Sequence, residues 1–174
     1  MCSASQTDAP VAPQRVGLAL GSNTGDRLAL LEAACDRLSE LFGHLRLSQV
    51  YETEPVDCPP GSPVFLNACV EVSTALPPLE VLKCCQRIEQ ELGRTRSGLY
   101  GEARTCDIDL IYHGSVELQS PELTLPHPRA HLRRFVLQPL CDIDPTLRLP
   151  GRSQTVAQLL EQLPEEPTVR PFDL

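Results

Sequence analysis

Apolar and polar positions repeat along this chain with a few distinct periods, and each period predicts an element. From Arg15 to Asn23, Val16, Leu18 and Leu20 alternate with small residues before Gly-Ser-Asn, the pattern of a strand running into a turn. Asp26 stands where a helix cap belongs. Leu28, Leu31, Cys35, Leu38 and Phe42 follow at helical spacing, and Gly43 stops the helix. Leu45 to Thr53 reads as a second strand, and Glu54 to Pro63, with four prolines and one glycine, as a loop. Val64 to Thr74 alternates again, with Leu66, Ala68, Val70 and Val72 on one face and Phe65, Asn67, Cys69 and Glu71 on the other. Pro77-Pro78 opens a helix through Leu92 with Leu79, Leu82, Cys85, Glu89 and Leu92 near one stripe, and Gly93 ends it. Arg94 to Arg104 is a loop. Thr105 to Tyr112 is a strand that sets Cys106, Ile108 and Leu110 against Asp107 and Asp109. A glycine-turn hairpin, a helix from about Arg129 to Leu140 and a last helix over Thr155 to Leu163 complete the pattern.

The predicted order is βαββαβ with additions. It fits an α+β, ferredoxin-like antiparallel sheet with flanking helices and an extra C-terminal hairpin and helices. The 174 residues suit one domain over 15–164. Residues 1–14, rich in Ser, Ala and Pro, read as a flexible leader, and 165–174 as a Pro- and acid-rich tail.

Charge narrows the function classes. Fifteen basic and 23 acidic residues leave a net −8, which argues against coating an extended nucleic acid. No apolar run reaches the length of a membrane span, and the N-terminus lacks the form of a secretory signal. The eight cysteines follow neither a disulfide framework nor metal-ligand spacing, so they read as reduced thiols in a cytoplasmic protein. Cys58, in the Pro-rich loop, is expected to react first with thiol reagents.

The chemistry concentrates around Asp107-Ile-Asp109. Two carboxylates at i and i+2 of a strand share a face and repel unless a cation lies between them. An oxygen-only pair suits Mg²⁺, which keeps water and takes substrate phosphates as further ligands. Arg94, Arg96 and Arg104 lie just before this strand, and guanidinium forks match phosphate oxygens. His127, Arg133 and Arg134 follow it and add to an anion-binding character. Residues 93–134 hold six arginines and five acids, whereas the rest of the chain is strongly acidic. There is no Walker loop and no G-x-S-x-G. These residues alone leave three readings open: a phosphoryl-transfer enzyme, a metal-dependent phosphohydrolase, and a non-catalytic nucleotide-binding module.

Several segments in order resemble the 6-hydroxymethyl-7,8-dihydropterin pyrophosphokinase family of folate biosynthesis. They are Ala19-Leu-Gly-Ser-Asn23, Ser48 to Val56, Phe65-Leu-Asn67, Gln86-Arg-Ile-Glu89, Gly93-Arg94-Thr-Arg96, Ala103-Arg104-Thr-Cys-Asp107-Ile-Asp109, Leu123-Thr-Leu-Pro-His127 and Arg133-Arg-Phe135. The match runs from about Val16 to Pro145. Tyr100-Gly-Glu-Ala103 departs from the family's usual Trp-Gly-Pro, and Phe65 stands where Tyr is common.

The resemblance implies a 2-amino-4-hydroxy-6-hydroxymethyldihydropteridine diphosphokinase, which transfers pyrophosphate from ATP to the pterin hydroxymethyl and releases AMP. It implies two Mg²⁺ ions on Asp107 and Asp109, with Arg94 and Arg104 as catalytic arginines. It also implies ATP contacts from Gln86, Glu89, Arg96, Ile108, Leu110, Thr124, His127 and Arg133. Thr53, Val56, Phe65, Asn67 and Phe135 would bind the pterin, the two phenylalanines sandwiching its ring. A monomer acting on small molecules, without nucleic acid or membrane partners, is the expected state.

Overall fold

The computed structural model describes residues 11–55, 58–93 and 106–174. Its elements are β1 (Gln14–Ser22), α1 (Arg27–Phe42), β2 (Arg46–Leu47), β3 (Tyr51–Thr53), β4 (Phe65–Thr74), α2 (Pro78–Glu91) and β5 (Asp107–His113). They continue with β6 (Leu118–Gln119), β7 (Thr124–Leu125), a 3₁₀ turn (Ala130–Leu132), α3 (Arg134–Ile143), α4 (Val156–Gln162) and β8 (Val169–Pro171). The main sheet runs β5-β1-β4-β3-β8, with β2 also on β4. Every pairing is antiparallel, and β6 with β7 forms a hairpin that turns through Ser120 to Leu123 without a glycine, unlike the glycine-turn hairpin expected. This is the split βαβ arrangement that the element order predicts.

Alternation divides the sheet into two faces. Val16, Leu18, Leu20, Leu66, Val70, Val72, Ile108 and Leu110 pack beneath α1 and α2. Ala19, Cys69, Ile111 and Tyr112 face α3 and α4. The first helix starts and stops as its sequence signals. The Asp26 carboxylate accepts from Ala29 N at 3.1 Å, and Gly43, at φ 81°, donates to the Ser39 carbonyl.

Four other expectations change. The second strand is broken into β2 and β3. Leu47 faces Val70 and Tyr51 faces Asn67, so four steps on one strand span three on the other. That is a bulge, and the Ser48 hydroxyl fills its gap by accepting from Cys69 N at 2.8 Å. The buried stripe of α2 is Val81, Cys85, Ile88 and Glu89, while Leu79 is exposed. The β-branched residues turn toward the sheet, and Leu82 and Leu92 only flank them. The helix expected from Arg129 is a 3₁₀ turn followed by α3, because Arg133 is extended (φ −114°, ψ 107°) between them. The acid-rich tail contributes β8, paired on β3.

Burial pushes the thiols of Cys35 and Cys141 up to about 11 and that of Cys85 to about 12. All seven described cysteines are thiols, and Cys58 is half-buried.

Candidate active site

The floor of the site is one row of side chains across the sheet. Asp107 pairs with Gly21, Gly21 with Asn67, and Asn67 with Tyr51. The next row holds Asp109, Ala19 and Cys69. Residues two apart share a face, so both carboxylates point to the α3 side, away from the Ile108 and Leu110 core. Beside them β1 offers Gly21 and Ala19, so this strand puts no bulky side chain over the pair. Asp107 and Asn67 sit two strands apart, about 10 Å at ordinary strand spacing. That span matches a bicyclic heterocycle with a short arm.

Asn67 is buried and its orientation is fixed. Its amide Nδ2 donates to the Thr53 hydroxyl at 2.5 Å. Its Oδ1 lies where a side chain on Gly21 would come, at 2.9 Å from an added Cβ. Phe65 opens β4 beside it and is half-buried, as is Phe135 in the first turn of α3.

His127 enters from the segment after β7. Its backbone N donates to the Ile111 carbonyl at 2.8 Å, which ties this segment to β5. Its Nδ1 accepts from Arg129 N at 3.1 Å, so a neutral ring carries its proton on Nε2. Burial, then the positive fields of Arg133 and Arg129, lower its pKa to about 4, while Asp107 acts in the opposite sense. The Arg133 guanidinium lies 5.4 Å from the centre of the Phe135 ring.

Two clefts hold some of the expected residues, while Phe65, Asn67, Asp107 and Asp109 line neither. Thr53, Arg133 and Phe135 line one of ≈ 190 Å³. Thr124 and His127 line a wider one of ≈ 510 Å³ with Gln119, His131 and Arg152. Gln86 and Glu89 stand on α2, on the other side of the sheet, and line neither cleft; Glu89 is buried there. Ile108 and Leu110 bury their side chains in the core, so only their backbone remains for a ligand. Arg94, Arg96, Arg104 and Val56 lie outside the described residues. Among the described residues no three metal-ligating side chains cluster. Two hard carboxylate donors beside the glycine and alanine of the next strand suit an ion that completes its shell with water and phosphate oxygen.

Two contributors escape the sequence reading. Gly21 is one, and a glycine inside a strand pattern is itself a sign of close approach. The other is a clasp at the base of the 54–63 loop. Arg27 Nη1 donates to the Val64 carbonyl at 2.9 Å, Arg27 Nη2 lies 3.8 Å from Glu52, and Asn23 reaches the Pro63 carbonyl at 3.4 Å. No local motif announces it.

The family model of 7,8-dihydro-6-hydroxymethylpterin-pyrophosphokinase matches residues 17–145. A 2-amino-4-hydroxy-6-hydroxymethyldihydropteridine pyrophosphokinase from Porphyromonas gingivalis is 47% identical over 76% of this chain and 92% of its own length. A protein of the same name from Haemophilus influenzae is 37% identical over 88% and 95%. In structure, the chain is similar to a Plasmodium falciparum HPPK-DHPS crystal structure, at a TM-score of 0.66 and 17% identity. That likeness covers 90% of this chain but 45% of the solved one, so this chain spans under half its length. With the family model spanning β2 to β7, the aspartate pair and His127, the chain belongs to the 7,8-dihydro-6-hydroxymethylpterin-pyrophosphokinase family.

Proposed function

We infer that this chain transfers the pyrophosphoryl group of ATP to the hydroxymethyl oxygen of 6-hydroxymethyl-7,8-dihydropterin and releases AMP. The observation that carries the reading is the row Asp107, Gly21, Asn67: a carboxylate of the pair and a fixed amide at opposite ends of a row whose middle member is glycine. The pterin oxygen attacks the β-phosphorus, the bond from β-phosphorus to the α-bridging oxygen breaks, and the hydroxyl proton departs. Asp107 and Asp109 are the residues that would hold Mg²⁺, which when bound neutralises phosphate charge and acidifies the attacking hydroxyl.

The chain's own side chains position and bind. Asn67 presents Oδ1 to the heterocycle edge while Thr53 holds its Nδ2. Phe65 and Phe135 offer ring faces for stacking. His127 donates from Nε2 without carrying charge, and Arg133 joins the ring site to the phosphate site. Arg94, Arg96 and Arg104 supply cations to the phosphates, and Gln86, Glu89 and Thr124 serve the nucleotide. Val56 adds a backbone contact to the pterin. Holding two substrates in line and compensating developing charge provide most of the acceleration. The chain works as a monomer on small molecules in the cytoplasm. Its described thiols support a reducing compartment.

AMP should form from ATP and Mg²⁺ only when the hydroxymethyl pterin is present. ADP, or phosphate released without pterin, would overturn the reading in favour of a phosphohydrolase. Asp107→Ala and Asp109→Ala should each lower kcat by on the order of 10²-fold or more. A near-normal rate in either variant removes that aspartate from the metal site.

A further inference from the structure

The cleft that contains Thr53, Arg133 and Phe135 is closed on its other side by the C-terminal segment, through Pro164, Glu166 and Val169. That segment is pinned at both ends. At its start, Arg134 donates from Nε to the Pro164 carbonyl and from Nη2 to the Leu163 carbonyl, both at 3.0 Å. Leu163 is the C-cap of α4 and Pro164 follows it, so Arg134 holds the chain where it leaves the helix. At its far end, β8 pairs with β3 in the register Thr53↔Val169, Glu52↔Arg170 and Tyr51↔Pro171. Phe172 N then donates to the Val50 carbonyl at 2.8 Å, and its ring packs on the core.

We propose that Arg134 is a positioning residue for pterin binding, acting by clamping the C-terminal segment as the outer wall of the ring site. It stands in sequence between Arg133 and Phe135, so one turn of α3 carries a phosphate-site group, the clamp and a stacking ring. The clamped segment places β8 against β3. This makes β3 an interior strand and fixes Thr53, which in turn orients Asn67. Without the clamp, β8 loses one of its two attachments and β3 returns to the sheet edge. Thr53 and the start of the 54–63 loop then loosen. Of the described nucleotide residues, Thr124 and His127 line a different cleft and are untouched, and only Arg133 borders this one. The role rests on the pterin reading of this site.

The test is steady-state kinetics of Arg134→Ala, Arg134→Lys and a chain ending at Pro164. Arg134→Ala and the truncation should raise KM for pterin on the order of tenfold, with a much smaller change in KM for ATP. Lysine reaches one carbonyl but not both, so Arg134→Lys should fall between wild type and alanine. Amide hydrogen exchange at residues 51–53 should quicken in Arg134→Ala. Unchanged pterin KM, or equal rises in both KM values, overturns the proposal. If the wild-type chain makes no pterin-dependent AMP, the functional reading fails. Exchange at 51–53 still decides the clamp, and unaltered exchange there rejects it.

Discussion

Single residues in this site act through the space they leave as much as through the groups they carry. A methyl on Gly21 would meet Asn67 Oδ1 at 2.9 Å and lie 3.6 Å from the Phe65 ring. Gly21→Ala should therefore displace the Asn67 amide, the group proposed to read the pterin. Pterin KM is expected to rise by about tenfold with a much smaller change in ATP KM, because the added methyl meets Asn67 and Phe65 rather than the residues assigned to ATP. Initial-rate titration of each substrate checks it. His127 makes a second prediction. Its pKa is lowered to about 4, with burial the largest cause and Arg133 and Arg129 next. The unfolded chain binds this proton near 6.5 and the folded chain only near 4. The contribution to stability is thus complete above pH 6.5 and is lost as pH falls toward 4. Removing the positive charge in Arg133→Ala should raise the His127 pKa part of the way to 6.5, read by NMR titration of its ring carbon. An unmoved titration would mean that burial and Arg129 set it without Arg133. The aspartates and His127 were visible in sequence because their spacing is local. Gly21 was not, because its partner Asn67 is 46 positions away and only strand pairing brings them together.

Elements were legible where local period and packing agree, and misread where a cross-strand demand intervened. The strand β4 and the caps of α1 follow their sequence signals, but the stripe of α2 is chosen by the sheet beneath it. β5 shows the conflict most clearly. It alternates as expected through Leu110, then a bulge turns both Ile111 and Tyr112 to the α3 side. Tyr112 thereby lies over Gly17, where an added Cβ would be 2.2 Å from the ring. Gly17→Ala should force the ring aside and cost about 1–3 kcal/mol of stability, measured by urea unfolding. The bulge lies on the strand's far half, so Asp107 and Asp109 keep their register with Gly21 and Ala19. Substrate KM values are expected to change little. The tail shows the opposite limit. Its prolines and acids signal a loose end, and nothing local in Val169–Pro171 reveals that β3 needs a partner on its open edge.

Across the whole molecule the two ends of the sheet are specialised, and the division explains why the acidic total was a poor guide to ligand class. The site end carries the carboxylate pair, the fixed amide and the histidine. The opposite end is held by one buried acid, Glu71, 4% exposed. Its carboxylate accepts from Arg15 Nε at 2.9 Å, from Arg46 Nη1 at 3.2 Å and from the Tyr112 hydroxyl. Arg15 continues to Asp144 after α3, and Arg46 Nη2 donates to the Ile143 carbonyl at 2.6 Å. One carboxylate thus joins β1, β2, β4 and β5, and its arginines extend the network to the end of α3. A buried charge held by several donors is costly to leave half-paired. The two arginines are about half exposed and can recover water, so the loss falls on the buried members. Glu71→Gln keeps the shape but removes the charge and gives Tyr112 a weaker acceptor. It should lower stability by about 1–3 kcal/mol in urea unfolding. It should leave both KM values unchanged, because the network touches neither cleft. A variant of normal stability would show that the arginines and Tyr112 hold this end without the charge. A variant with altered pterin KM would show that the two ends of the sheet are coupled through β1 and β4.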